Sequence, residues 1–246
     1  MALQRYASAN HLFSSIMREQ LLHLLFPQVC LICKRLLQPG EEYCCADCMK
    51  EFSPFTTPSE AEKELRETIT AHFGEQFPFE RGWCSYLFHK QSPLQQVLHS
   101  MKYEGLFNLG TSFGRQLGKW ILSDGRLGDI DSIVPIPLHR LKKIERSYNQ
   151  SEKIAEGLAQ SLRQPVRPEL LVRKRFTVSQ TGLSAVDREK NSAGAFLATS
   201  GVRGHHVLLV DDVVTTGATM AAAAEALRQG GARNVSLAAL AVAARE

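Results

Sequence analysis

Residues 207–220 read VLLVDDVVTTGATM and join an apolar run to two acids and a threonine-rich turn. The aliphatic residues 207–210 predict a strand that is buried on both faces of a mainly parallel sheet. Asp211 and Asp212 follow this run, and a turn of small residues then leads into a helix predicted over 221–227. The stretch therefore predicts a strand, an acid pair, a turn and a helix start in direct succession.

The predicted turn suits a phosphate monoester. The N-terminus of a helix offers unpaired backbone N–H groups and the positive end of the helix dipole, and threonine hydroxyls beside it add donors. Gly217 lets the backbone approach the phosphate closely. Asp211 and Asp212 can accept hydrogen bonds from vicinal sugar hydroxyls, or hold a divalent cation through water. A sugar phosphate is the ligand that fits both halves of the stretch.

Three other interpretations explain the stretch less well. A plain strand–helix unit leaves the acid pair and the three threonines without a role. Receiver domains of response regulators carry an acid pair after an aliphatic strand, but there it usually opens the domain, whereas this pair lies about 35 residues before the last residue. A Walker-type loop ends in Gly-Lys-Ser/Thr, which the stretch lacks.

The stretch resembles the signature of type I phosphoribosyltransferases, in which hydrophobic residues and two acids precede Thr-Thr-Gly-x-Thr. In that family the acids contact the ribose hydroxyls, and the loop binds the 5-phosphate of 5-phosphoribosyl pyrophosphate (PRPP). The resemblance implies that Asp211 and Asp212 are the catalytic acids and that Mg²⁺ accompanies PRPP. The PRPP-binding residues that it implies are Asp211, Asp212, Val213, Val214, Thr215, Thr216, Gly217, Ala218 and Thr219.

Size and charge indicate an ordinary globular chain. The 246 residues suffice for one good core and a small appended module. The net charge of +4 is compatible with an anionic ligand but does not by itself indicate nucleic acid. We find no run long enough for an integral membrane segment and no secretory signal pattern, so we expect a cytoplasmic location.

Four segments are predicted along the chain. Residues 1–25 have the spacing of an amphipathic helix that docks on the body of the protein. Residues 26–55 form a four-cysteine, zinc-ribbon-like module, and residues 56–80 are expected to be a linker with a short exposed helix over 60–67. Residues 81–246 are the phosphoribosyltransferase-like domain.

The four-cysteine module contains two CxxC pairs, Cys30–Cys33 and Cys45–Cys48. Four thiolates on two turns can surround one Zn²⁺ tetrahedrally, whereas a reducing compartment disfavours disulfides. Iron in a rubredoxin-like site uses similar spacing, so zinc is the preferred metal and iron the alternative. Cys44 is an alternative third ligand, but Cys45 completes the CxxC. A closed site of this kind is usually structural.

Two polar, basic segments are candidates for binding pyrophosphate. One follows a strand predicted over 130–136, and the other is the long segment 173–191, which has no clear period and suits a lid. A solvated charge run and a disordered loop are the respective alternatives. The pyrophosphate and lid candidates are His139, Arg140, Arg146, Arg173, Lys174, Arg175, Gln180, Arg188 and Asn191.

Predicted strands and helices alternate through the second half of the chain. This alternation predicts an α/β fold in which helices flank a parallel sheet, with the ligand beyond the carboxyl ends of the strands.

The order of the motifs resembles the ComF family, which includes GntX-like proteins. The cysteine pairs, the sequence VPIPL over 134–138, RSYNQ over 146–150 and the signature from Asp211 carry this resemblance, which covers nearly the whole chain from Phe26. It implies a zinc-ribbon module joined to a type I phosphoribosyltransferase domain, and a link to competence, DNA uptake or the use of external DNA. The ligand implied is PRPP or another ribose 5-phosphate compound.

Two classes of function remain. The chain is either a phosphoribosyltransferase that transfers a pentosyl group, or a non-catalytic protein of the same fold that acts as a single-stranded DNA-binding or regulatory component of DNA uptake. In the second case Lys142, Lys143, Arg146 and the segment 173–190 would contact DNA. Thr215 stands where purine-salvage enzymes carry an acid that contacts the base, so the resemblance identifies no acceptor.

Overall fold

The architecture was taken from a computed structural model, which describes residues 28–73, 79–103, 106–138, 148–174 and 194–245. The helix predicted over 1–25 lies outside these ranges. The chain divides into two compact units, residues 1–50 and 51–246.

The described part of the first unit consists mainly of turns. Val29 and Leu36 form an antiparallel bridge, and helix α1 (Ala46–Lys50) follows. Glu41 accepts hydrogen bonds from the backbone N–H groups of Gln38 at 2.8 Å and Ala46 at 2.7 Å. These bonds connect the segment after the Val29–Leu36 bridge to the start of α1.

A four-stranded parallel sheet forms the centre of the second unit. Its order is β1-β6-β5-β2, and two further short strands, β3 and β4, pair antiparallel in a separate sheet. The strands are β1 (Gly82–Phe88), β2 (Ser132–Pro135), β3 (Leu171–Arg173), β4 (Phe196–Ala198), β5 (His206–Val214) and β6 (Asn234–Ala243). The predicted parallel sheet is confirmed, whereas β4 is too short to have been predicted from its sequence.

Helices flank this sheet, as predicted. One group of buried side chains joins the sheet to α2 and α6 and includes Leu65, Ile69, Leu209, Met220 and Leu227. The helices of this unit are α2 (Pro58–Phe73), α3 (Pro93–Tyr103), α4 (Phe107–Asp124), α5 (Gln150–Leu162) and α6 (Ala218–Gln229). Within the described ranges, none of the helices combines the length and the apolar character of a membrane span.

The linker predicted over 56–80 differs from the structure, which has the 16-residue helix α2 there. Ala61, Leu65 and Ile69 recur every four residues and are fully buried, so one face of α2 belongs to the core of the second unit. Glu62 is also largely buried and pairs with Arg66 at 3.0 Å and with Arg126 at 3.3 Å. The polar composition of this segment therefore reflects one exposed face and an ion-pair network.

Helices α4 and α5 pack at very short distance because glycines lie at their crossing. A Cβ atom built on Gly114 of α4 would lie 2.1 Å from the carbonyl oxygen of Ile154 in α5. A Cβ on Gly157 of α5 would lie 2.1 Å from the carbonyl oxygen of Thr111. This contact fixes the position of α5, whose N-terminus lies at the end of β5.

Substitution Gly114→Ala tests this packing. Overpacking against backbone costs about 3 kcal/mol, and the higher helix propensity of alanine returns about 1 kcal/mol. We therefore expect a net loss of about 2 kcal/mol in the free energy of unfolding, measured by urea denaturation. The control Gln116→Ala, at an exposed position of the same helix, should stay within about 0.5 kcal/mol of wild type. Equal stability of the two variants would contradict the described contact.

Candidate functional site

The signature lies at the carboxyl end of the central strand β5. This strand continues past the predicted residues 207–210 and includes both acids before it ends at Val214. Residues 215–217 form the turn, and α6 begins at Ala218. β5 pairs with β2 on one side and with β6 on the other, so the acids are held at the edge of the sheet where ligands of open α/β folds bind.

The turn has no room for a side chain at Gly217. Its φ of +80° is in the left-handed region, and a Cβ atom there would lie 2.7 Å from Cγ1 of Ile69. The turn therefore lies directly on α2. Ala221 donates a backbone hydrogen bond of 2.8 Å to the carbonyl oxygen of Gly217, which begins the hydrogen-bond ladder of α6.

The two acids are half-buried, and their side chains bond to nearby groups. Oδ1 of Asp211 accepts hydrogen bonds from the hydroxyl of Ser151 at 3.0 Å and from the backbone N–H of Asp212 at 2.9 Å. Oδ1 of Asp212 accepts a hydrogen bond from the backbone N–H of Val213 at 2.8 Å. Asp211 is thus held on one side by a residue that lies 60 positions earlier in the chain.

Ser151 belongs to the first turn of α5, and the sequence interpretation did not identify it. Asn149 is the N-cap of this helix: its side-chain oxygen accepts the backbone N–H of Ser151 at 3.1 Å. The amide nitrogen of Asn149 donates to the carboxylate of Glu152 at 3.2 Å. This pairing resembles a capping box, and the Asn-x-x-Glu spacing is a sequence signal for the start of a helix. No local pattern indicates the bond to Asp211, because it depends on how β5 and α5 meet.

A small cavity of about 30 Å³ opens between the end of β5 and the start of α6. It is about large enough for one water molecule or one phosphate oxygen. Thr215, Thr216 and Thr219 are exposed, so their hydroxyls are accessible. The lining residues are Asp211, Val213, Val214, Thr215, Gly217, Thr219 and Met220. Asp212 does not line this cavity.

Two of the predicted pyrophosphate and lid residues fall within the described ranges. Arg173 ends β3 and lies over the ring of Phe196, with the guanidinium carbon 5.1 Å from the ring centre. Burial lowers the pKa of Arg173, and the charge of Asp211 acts in the opposite direction. Lys174 is exposed. The remaining candidates, His139, Arg140, Arg146, Arg175, Gln180, Arg188 and Asn191, lie outside the described residues, as do Lys142 and Lys143.

The four predicted metal ligands lie together in the first unit. The sulfur atoms of Cys30, Cys33, Cys45 and Cys48 are all within 4.8 Å of one another. Sγ of Cys33 and Sγ of Cys45 are 3.7 Å apart, close to the spacing of about 3.8 Å between thiolates that share one tetrahedral Zn²⁺. The donor set and its spacing therefore fit a four-coordinate metal ion.

The neighbouring thiols differ in their ionisation. Burial raises the pKa of Cys30, but backbone N–H groups of Cys45, Cys33 and Ile32 outweigh it and bring the pKa down to about 6. Burial, followed by the charges of Cys30 and Cys45, raises the pKa of Cys44 to about 12. Cys44 is buried beside the cluster but is not one of the four converging thiols.

Comparison with known proteins agrees with this architecture. Residues 144–246 match the family model of the phosphoribosyl transferase domain. Competence protein F of Haemophilus influenzae is 27% identical over 216 residues, which cover 85% of this chain and 94% of that protein. Competence protein ComFC of Bacillus subtilis is 33% identical over 102 residues, which cover 40% of this chain and 39% of the relative.

The chain is similar to proteins of the ComF family, as its motifs indicate. The DNA utilization protein YhgH of Escherichia coli K12 is a further relative, 33% identical over 148 residues. That alignment covers 59% of this chain and 65% of the relative, so it spans just under two thirds of the E. coli protein.

Among solved structures, the glutamine PRPP amidotransferase of B. subtilis, complexed with ADP and GMP, aligns with 61% of this chain and 28% of its own. The TM-score is 0.37 and the identity 21%. The phosphoribosylpyrophosphate synthetase of Mycobacterium smegmatis aligns with 52% of this chain and 33% of its own, with a TM-score of 0.33 and 22% identity.

The substitution Gly217→Ala tests the contact between the turn and α2. A left-handed alanine costs about 1–2 kcal/mol, and the contact with Ile69 adds to that cost. Gly125 is the matched control, because it also has a positive φ, +68°, but a Cβ there meets nothing within 4 Å. In urea denaturation we expect Gly217→Ala to lose at least about 1 kcal/mol more than Gly125→Ala. Equal losses would contradict the close contact.

Proposed function

We propose that this protein binds PRPP, or another ribose 5-phosphate compound, at the carboxyl end of β5. The observation that carries the proposal is the convergence of three features on one cavity: Asp211, the threonine-rich turn 215–219 and the N-terminus of α6. Each of them suits a different part of the same ligand. The match of residues 144–246 to the phosphoribosyl transferase domain supports it.

The turn would bind the 5-phosphate. The first backbone N–H groups of α6 have no partners within the helix, although that of Ala218 donates to Oγ1 of Thr216 at 3.3 Å, and the helix dipole favours an anion there. The exposed hydroxyls of Thr215, Thr216 and Thr219 add donors around the same position. Since the cavity of about 30 Å³ holds no more than a phosphate oxygen, the sugar would lie on the open side, toward the acids.

The acids would hold the sugar. Asp211 lines the cavity, so its carboxylate would face the hydroxyls of a ribose whose phosphate lies in the turn. Carboxylate oxygens are also the donors that Mg²⁺ prefers, usually through bound water. In a Mg²⁺–PRPP complex, Asp211 and Asp212 would therefore be the carboxylates of the signature that lie nearest to the ligand.

The reaction suited to such a site is displacement of pyrophosphate at the anomeric carbon of PRPP. The chain would contribute by holding the sugar in line and by placing cations near the leaving group. Arg173 is a candidate for the second task, because it lies close enough to Asp211 for their charges to interact. Mg²⁺ would supply further charge stabilisation to the leaving pyrophosphate.

In the first unit we propose a structural Zn²⁺ site formed by Cys30, Cys33, Cys45 and Cys48. Four thiolates complete a tetrahedral shell and leave no position for a substrate, so the ion would stabilise a module whose described part consists mainly of turns. Iron is the alternative ion for the same donors.

The biological setting that we propose is the use of external DNA in the cytoplasm. The relatives are called competence proteins and DNA utilization proteins. One of them, competence protein F of H. influenzae, aligns with this chain over 94% of its own length. Ligand binding in the second unit would then either be part of a reaction on DNA-derived material or regulate this protein during the use of DNA.

Calorimetry with PRPP and Mg²⁺ tests the ligand proposal. We expect wild type to bind and Asp211→Asn to bind about 10–100-fold more weakly, because a charge-assisted hydrogen bond to the sugar is lost. The control Glu225→Gln makes the same carboxylate-to-amide change at an exposed position of α6 and should leave the affinity unchanged. Absence of heat with wild type, or equal affinity of Asp211→Asn, would contradict the proposal. A gel shift with single-stranded DNA in the absence of PRPP binding would favour the DNA-binding alternative.

Elemental analysis tests the metal site. We expect one zinc per chain in the wild type and a loss of most of it in Cys45→Ala. Cys44→Ala is the matched control, because Cys44 is the adjacent buried thiol outside the cluster, and it should retain its zinc. Wild-type protein without metal would refute the site, equal loss in both variants would refute the ligand assignment, and iron in place of zinc would correct the ion.

A further inference from the structure

The side chain of Asp211 is held by a residue outside the signature. The hydroxyl of Ser151, in the first turn of α5, donates to Oδ1 of Asp211 at 3.0 Å. The same oxygen accepts the backbone N–H of Asp212 at 2.9 Å. Two donors on one carboxylate oxygen set the orientation of the whole carboxylate plane, including the second oxygen.

Ser151 is itself fixed in place by a closed path of hydrogen bonds. The backbone N–H of Ile136, next to the end of β2, donates to the carbonyl oxygen of Val210 in β5 at 2.9 Å. The carbonyl oxygen of Ile136 accepts a hydrogen bond from the side-chain amide of Asn149 at 3.0 Å. The oxygen of Asn149 accepts the N–H of Ser151 at 3.1 Å, and Ser151 then donates to Asp211, which follows Val210.

The two side chains at the centre of this path are buried. Asn149 is 2% exposed and Ser151 is 3% exposed. A buried hydroxyl that loses its partner costs free energy, so burial favours the bond between Ser151 and Asp211. The capping role at the start of α5 is already filled by Asn149. The hydroxyl of Ser151 is therefore not needed as a helix cap and is directed to the acid.

From these contacts we infer that Ser151 is a positioning residue for the sugar-binding acid Asp211. This inference rests on the proposed binding of a ribose 5-phosphate compound. Ser151 does not touch the ligand; it holds the carboxylate in the orientation in which the acid meets the sugar hydroxyls. The described hydrogen bonds of Ser151 go to Asn149 and Asp211, so Ser151 acts on the sugar-binding acid and leaves the phosphate-binding turn 215–219 unchanged.

The test compares Ser151→Ala with Ser161→Ala. Ser161 lies on the same helix, and its hydroxyl donates to the carbonyl oxygen of Arg115 at 3.1 Å. Ser161→Ala is therefore a matched control, because it also removes one hydrogen-bonded hydroxyl from α5. We expect Ser151→Ala to bind Mg²⁺–PRPP about 10-fold more weakly than wild type in calorimetry. Ser161→Ala should bind within about 2-fold of wild type.

Inorganic phosphate, titrated by ³¹P NMR, separates positioning from general damage. Ser151→Ala should bind inorganic phosphate as wild type does, because the phosphate turn is unaltered. Equal PRPP affinity of the two serine variants would overturn the inference while the proposed function stands. A loss of PRPP and phosphate affinity by the same factor would also overturn it, because Ser151 would then support the whole site. If wild type does not bind PRPP, the proposed function fails first, and this inference fails with it.

Discussion

The signature turn and helix α2 touch without space for a side chain between them, and the position of the candidate site follows from that contact. Gly217 takes a left-handed conformation at this point, and Ile69 fills the space below it. Because Ile69 belongs to the buried face of α2, the turn rests on the core of the second unit rather than on a mobile surface. The start of α6 is fixed with it, and so is the direction in which its first N–H groups point.

The acid pair depends on a second support on the other side of β5. There the N-terminus of α5 meets the end of β2, and the path from Ile136 through Asn149 to Ser151 ends on Asp211. The glycine contact between Gly114 and Ile154 holds the body of α5 close to α4. The site is thus assembled from segments that are far apart in the chain, and each depends on packing elsewhere in the second unit.

Much of this architecture could be predicted from the sequence because its strongest patterns are local. The aliphatic run before Asp211, the glycine of the turn and the CxxC pairs each express a constraint that acts within a few residues. The length and the buried face of α2 were missed because residues 60–67 are mostly charged, although Ala61, Leu65 and Ile69 have the spacing of a buried helix face. The bond between Ser151 and Asp211 depends on tertiary structure alone, because no sequence pattern around Ser151 indicates a contact with a residue 60 positions later.

A crystal structure of the protein with PRPP and Mg²⁺ tests the proposed site most directly. We expect the 5-phosphate at the N-terminus of α6, within hydrogen-bond distance of backbone N–H groups of residues 215–219, and the ribose hydroxyls against Asp211. A ligand bound elsewhere on the protein, or a ribose at this edge of the sheet without contact to Asp211, would contradict it.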